Sequence, residues 1–89
     1  MLFMHEMGVA TEICRIAEHK VGTAMAPNLR RVAVVVGSDA GVEPSSLGFC
    51  LDALLAQPPF GGASSEIALV PGDALHVDYL EVDDGSSSD

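Results

Sequence analysis

Basic residues are scarce in this chain: four lysines and arginines stand against thirteen aspartates and glutamates among 89 residues, for a net charge of −9. Such a field repels phosphate backbones and anionic lipid, so neither nucleic acid nor a membrane surface is an expected partner. It keeps a small protein soluble and mildly concentrates cations. Long hydrophobic runs are also missing, which argues against a transmembrane helix. No basic segment followed by a long apolar run opens the chain, so no signal peptide is expected and the cytoplasm is the default location. Cysteine appears only as Cys14 and Cys50. They are far apart, with no C-x-x-C pair, so a tetrahedral thiolate zinc site is not expected. Both lie in apolar helical patterns, where a free cysteine usually packs as a small hydrophobe. The familiar catalytic signatures are missing as well: no phosphate loop with its lysine, no G-x-S-x-G elbow, no H-E-x-x-H helix. The chain does not read as an enzyme.

What is present is a packed core in the making. Hydrophobic residues are 48% of the chain, enough for a single small domain and too many for disorder. From Met7 to about Val21, Val9, Ala10, Ile13, Ile16, Ala17 and Val21 recur at three- and four-residue spacing, which predicts an amphipathic helix. Arg31 to Gly37 is Val-rich without polar interruption, the pattern of a strand lying centrally in its sheet. Pro44 suits the first position of a second helix with Leu47, Cys50, Leu51, Leu54 and Leu55 as its apolar stripe. Gly48 weakens that helix by about 1 kcal/mol relative to alanine, and Pro58-Pro59 ends it. Two further strands, Glu66 to Val70 and Leu75 to Val82, flank a Pro71-Gly72-Asp73 turn, and so short a connection predicts an antiparallel hairpin between them. Leu75, Val77 and Tyr79 alternate against His76 and Asp78; Leu80 and Val82 break that phase, which predicts a bulge near Asp78-Tyr79. The expected architecture is an α+β two-layer sandwich ordered helix-strand-helix-strand-strand, a three-stranded sheet with both helices on one face. It occupies residues 1–83, followed by an acidic, apolar-free tail, 84–89, expected to be disordered.

Three histidines remain as candidate chemistry. His19 falls on the polar side of the first helix, and His76 points away from Leu75 and Val77; both read as solvated side chains. His5 differs, because it sits near the chain start in a Met4-His5-Glu6 run. An imidazole beside a free α-amine and the first backbone amides can wrap a divalent metal in a planar array of nitrogens, which suits nickel(II) and copper(II). The alternative is structural: Glu6 complementing the positive end of the first helix and Met4 packing beneath it.

The Met4-His5-Glu6-Met7 opening, the helix after it and the strand from Arg30-Arg31 through Val36-Gly37 form one ordered set with two later segments. These are the Gly41-Val42-Glu43-Pro44 link into a Leu/Phe-rich helix, and the run from Gly72-Asp73-Ala74 to Glu81-Val82. Together they resemble the HypA/HybF family of nickel metallochaperones. The resemblance implies a nickel(II)-binding accessory protein for maturation of [NiFe]-hydrogenase. Its ligands would come from Met4, His5 and Glu6, the first and last chiefly through backbone nitrogen. It also implies a HypB-type GTPase and the hydrogenase large subunit as partners. The family carries a zinc domain with two C-x-x-C pairs between its last two strands, where this chain has only Pro71-Gly72-Asp73, so no zinc is expected. Met1-Leu2-Phe3 precede the motif; with them in place Met4 offers an amide nitrogen, and the full donor set needs a chain starting at Met4. A second reading is a metal-free interaction module, a degenerate paralogue keeping only the docking surface.

Overall fold

The computed structural model describes residues 2–83, with side-chain placement from His5 onward. Met1 and the segment 84–89, read above as a disordered tail, lie outside the described residues. The element order is α1 (Leu2–Val21), a 3-10 turn (Ala26–Asn28), β1 (Leu29–Gly37), α2 (Pro44–Leu55), β2 (Ser64–Val70) and β3 (Leu75–Val82). This is the expected α+β order, with one addition at the start: α1 begins at Leu2, five residues before Met7, so the Met4-His5-Glu6 run lies inside it. The buried face of α1 is Glu6, Ala10, Ile13, Cys14 and Ala17. Those positions follow the helical repeat, and the small Ala10 and Ala17 let α2 approach closely along the stripe.

Strand β1 is central, as its Val-rich run predicts, and the sheet order is β2-β1-β3. It pairs in parallel with β2, from Arg31 opposite Ser64 to Gly37 opposite Val70. It pairs antiparallel with β3, from Leu29 opposite Val82 to Val36 opposite Leu75. Val32, Val34 and Val36 face the helices and are fully or almost fully buried with Leu47, Cys50, Leu51 and Leu55 of α2. Each such large side chain contributes about 1.5–3 kcal/mol by leaving water.

The hairpin expected between the last two strands does not form. β2 and β3 are not neighbours; they lie on opposite sides of β1, and their short connection passes over the end of that strand. Two strand spacings, about 9.5 Å, are within reach of so few residues. The crossover is stitched to β1 by its own backbone: the Gly37 N–H donates to the Ala74 carbonyl (2.6 Å), Ser38 to Val70 (2.8 Å) and Asp39 to Gly72 (2.7 Å). Connection length alone favoured a hairpin; what prevails is that β1, apolar along both edges, takes a partner on each side, with α2 as the crossover a parallel pair requires. The passage is tight. A Cβ on Gly37 would stand 2.2 Å from the Gly72 carbonyl oxygen, and Gly72 itself has a φ of 93°, a region glycine enters without strain.

The bulge near Asp78-Tyr79 is present: Ala33 pairs with Tyr79 and Val34 with Val77, leaving Asp78 as the extra residue. It also reassigns Tyr79. Past the bulge Tyr79 faces the open side of the sheet with His76, while Val77 and Leu80 face the helices, so the alternation expected for Leu75, Val77 and Tyr79 holds only for the first two.

Candidate metal-binding motif

Consecutive helical residues differ by about 100° in direction, so neighbours in the motif cannot share one side. His5 is exposed, whereas the Glu6 side chain is 0% exposed and lies in the core stripe four residues before Ala10. Met4 is helical, and its side chain lies outside the described residues.

Glu6 does not serve the start of its own helix; it serves α2. Its Oε2 accepts a hydrogen bond from the Glu43 backbone N–H at 2.8 Å. Glu43 is the N-cap residue of α2, in extended conformation, with Pro44 as the first helical residue. The Glu43 carboxylate in turn accepts from the Ser46 N–H (2.8 Å), the Ser45 N–H (3.3 Å) and the Ser45 hydroxyl (2.8 Å). A helix leaves its first N–H groups without internal partners, and here two glutamates from different elements share the work of accepting them. The Ser45 hydroxyl above all, with the Ser46 and Ser45 amides, pulls the Glu43 carboxyl down to about 2 from its ordinary 4.5. The other Glu6 oxygen, Oε1, is buried and has no hydrogen-bond partner among the described residues.

The remaining candidates are elsewhere. His19 is exposed on the same helix, fourteen residues and therefore about 21 Å along the axis from His5. His76 is exposed on β3 opposite Val35. Cys14 and Cys50 are free and buried, as expected from their patterns, and burial pushes the Cys14 thiol up to about 11. Among the described residues, no group of three or more His, Cys, Asp or Glu side chains is placed to hold a metal ion. A metal at the motif therefore depends on backbone nitrogens beside the His5 imidazole. That donor set fits a planar nitrogen array and the d-electron preferences of nickel(II) or copper(II).

Sequence reading named Glu6 but missed its partner Glu43. The signal was available: extending the α1 stripe back by four residues from Ala10 puts Glu6 on the buried face, and a buried carboxylate needs a donor. Glu43, directly before Pro44, is where a helix start supplies one. Among the described residues no helix is long and apolar enough to cross a membrane.

Comparison with known proteins places these residues in context. A family model described as "Hydrogenase/urease nickel incorporation, metallochaperone, hypA" matches residues 4–76, beginning at the motif. The hydrogenase maturation factor HypA of Azoarcus sp. (strain BH72) is 39% identical over 69 residues, covering 78% of this chain and 60% of that protein. Its counterpart in Desulfosudis oleivorans is 36% identical over 69 residues, 76% of this chain and 60% of that protein. The one in Paracoccus denitrificans is 32% identical over 78 residues, 88% of this chain and 69% of that protein. The chain thus spans about 60% of the length of the first two relatives.

Proposed function

The chain belongs to the HypA family, and on that premise we propose that it binds nickel(II) through Met4, His5 and Glu6 and passes it on during maturation of [NiFe]-hydrogenase. The observation that carries the reading is the position of the motif. The family match starts at Met4, and His5 stands exposed at the start of α1 while Glu6 ties that start into the core. The imidazole supplies one nitrogen, and the backbone at Met4 and Glu6 supplies others. When Met4 is the first residue, its α-amine completes a planar set that nickel(II) favours over oxygen-seeking cations. No step of this role needs a catalytic group; the protein holds a cargo and releases it. The recipients follow from the same reading: a HypB-type GTPase and the hydrogenase large subunit. The domain folds without zinc on this account, because the Pro71–Asp73 crossover joins β2 to β3 directly and the core is built from α1, α2, the three strands and the loop residues Val42 and Ala63.

One observation favours a second reading, a metal-free docking module. With Leu2 and Phe3 helical, the amide of Glu6 is directed at the carbonyl four residues before it and is not free for a metal. Nickel titration decides between the two. A chain starting at Met4 should bind one equivalent of nickel with the absorption of a planar complex and lose it on His5→Ala. Undiminished affinity in His5→Ala sinks the nickel reading.

A further inference from the structure

Glu6 belongs to the motif by sequence, yet its side chain turns away from the exposed His5 and into the core. We propose that the Glu6 carboxylate is a positioning residue and not a metal donor: a tether that holds the start of α1 against the N-cap of α2 while the residues ahead of it unwind around the metal. The inference rests on the nickel reading above and adds a conformational step and a second responding site to it.

The backbone geometry sets the need for unwinding. In an α-helix each N–H points at the carbonyl four residues earlier, so in a helix running from Leu2 the amide of Glu6 is committed to Leu2. A metal can take that nitrogen only when the turn preceding it opens. Opening that turn is easy, since helix ends fray and no acidic residue in the first turn offsets the helix dipole. Beginning the chain at Met4 has the same effect by another route. The amides of Met4, His5 and Glu6 then fall among the first N–H groups of the helix, which have no internal partners.

The tether sets where the opening stops. Glu6 is the first buried residue of α1 with a described side chain, and its Oε2 grips the Glu43 N–H at 2.8 Å. Unwinding past it would strip Glu43 of its acceptor and draw a carboxylate out of the core stripe shared with Ala10. Its free oxygen points the same way. Oε1 is the one buried side-chain polar atom without a partner among the described residues, at a position where an apolar side chain would pack at lower cost. What the carboxylate achieves there is the grip on α2. Metal occupancy at the motif is thereby felt at Glu43, Ser45 and Ser46, whose hydrogen bonds form the first turn of α2.

The test uses the ¹⁵N-labelled full chain beside one starting at Met4, each as parent, Glu6→Gln and Glu6→Ala. All are titrated with nickel and followed by amide spectra, affinity and circular dichroism, which should show helix lost on nickel binding in the full chain. In the parent, nickel should shift the amides of Glu43, Ser45 and Ser46. Glu6→Gln should keep both the affinity and those shifts, because its amide oxygen still accepts the Glu43 N–H. Glu6→Ala should still bind through backbone nitrogen at close to the parent's affinity, because the lost hydrogen bond is present without metal as well, and the α2 shifts should vanish. If Glu6→Gln loses nickel as fully as Glu6→Ala does, the carboxylate is a donor and the tether is wrong. Parent-like α2 shifts in Glu6→Ala also overturn it. Should Glu6→Ala fail to fold, the Gln variant and the parent shifts alone decide. Failure of the parent to bind nickel is a separate result, which overturns the functional reading itself.

Discussion

The two ends of β1 are built on opposite principles. At its C-terminal end, Gly37 lies under the β2–β3 crossover, and the starts of both helices meet through Glu6 and Glu43. There the Glu6 side chain is buried and aimed at backbone, while Glu43 is exposed and caps α2 from the surface. At its N-terminal end the sheet is open to solvent on one face, and charge is arranged across it. Arg31 bonds Glu66 on β2 (3.1 Å) and Glu81 on β3 (3.0 Å), Tyr79 donates to Glu66 (3.0 Å), and Arg30 pairs with Asp83 (3.0 Å). Both ends contain glutamates held by hydrogen bonds, but the energetics differ. Water can replace a partner at the open end, so losing one changes little. At buried Glu6 nothing replaces the lost partner.

The sharpest way to break this contrast is at Gly37. Gly37→Ala drives a methyl group into the Gly72 carbonyl, 2.2 Å away, where backbone must move. Thermal or urea denaturation should show a loss of about 3 kcal/mol. Next comes Glu6→Ala, which leaves the Glu43 N–H without its acceptor and should cost about 2 kcal/mol in urea denaturation, with Glu6→Gln costing less. Acid tests the same end more gently. The Glu43 carboxyl is held down to about 2 from an ordinary 4.5, chiefly by the Ser45 hydroxyl, so its folded value lies below its unfolded one. Its support for the α2 cap is complete above pH 4.5 and is lost as pH falls toward 2, and faster amide exchange at Ser46 across that window should report it. The smallest effect belongs to the open end. Tyr79→Phe removes the bond to Glu66 and should leave the melting midpoint unchanged at physiological salt, because the Glu66 carboxyl is held below its ordinary value first by Arg31 and only then by Tyr79, although that bond is what raises the Tyr79 phenol. A clear drop there would erase the distinction between the two ends.

Periodicity made much of the fold legible. The central place of β1 follows from its unbroken Val32–Val36 run, the α2 stripe from Leu47, Cys50, Leu51 and Leu55, and the Asp78 bulge from the phase break at Leu80. These are local patterns, and each element carries its own. The neighbours of β2 and β3 were not legible in that way, because strand order depends on which edge of β1 is free, and the Pro71-Gly72-Asp73 turn is as short in a crossover as in a hairpin. The start of α1 was missed for a different reason. Leu2 and Phe3 continue the helix backward through the Met4-His5-Glu6 run, whose polar residues interrupt the apolar repeat that marks the rest of α1. The metal motif itself was found as a triplet, but the opposite directions of His5 and Glu6 appear only once the helix runs through them, and the role of Glu43 appears only once α1 and α2 are brought together.

The most direct test of the central claim is X-ray absorption at the nickel edge on the loaded chain starting at Met4. The account predicts four light donors in a plane, with imidazole scattering that disappears in His5→Ala and no change in donor count in Glu6→Gln. A six-coordinate, oxygen-rich nickel, or a spectrum unaltered by His5→Ala, would contradict it.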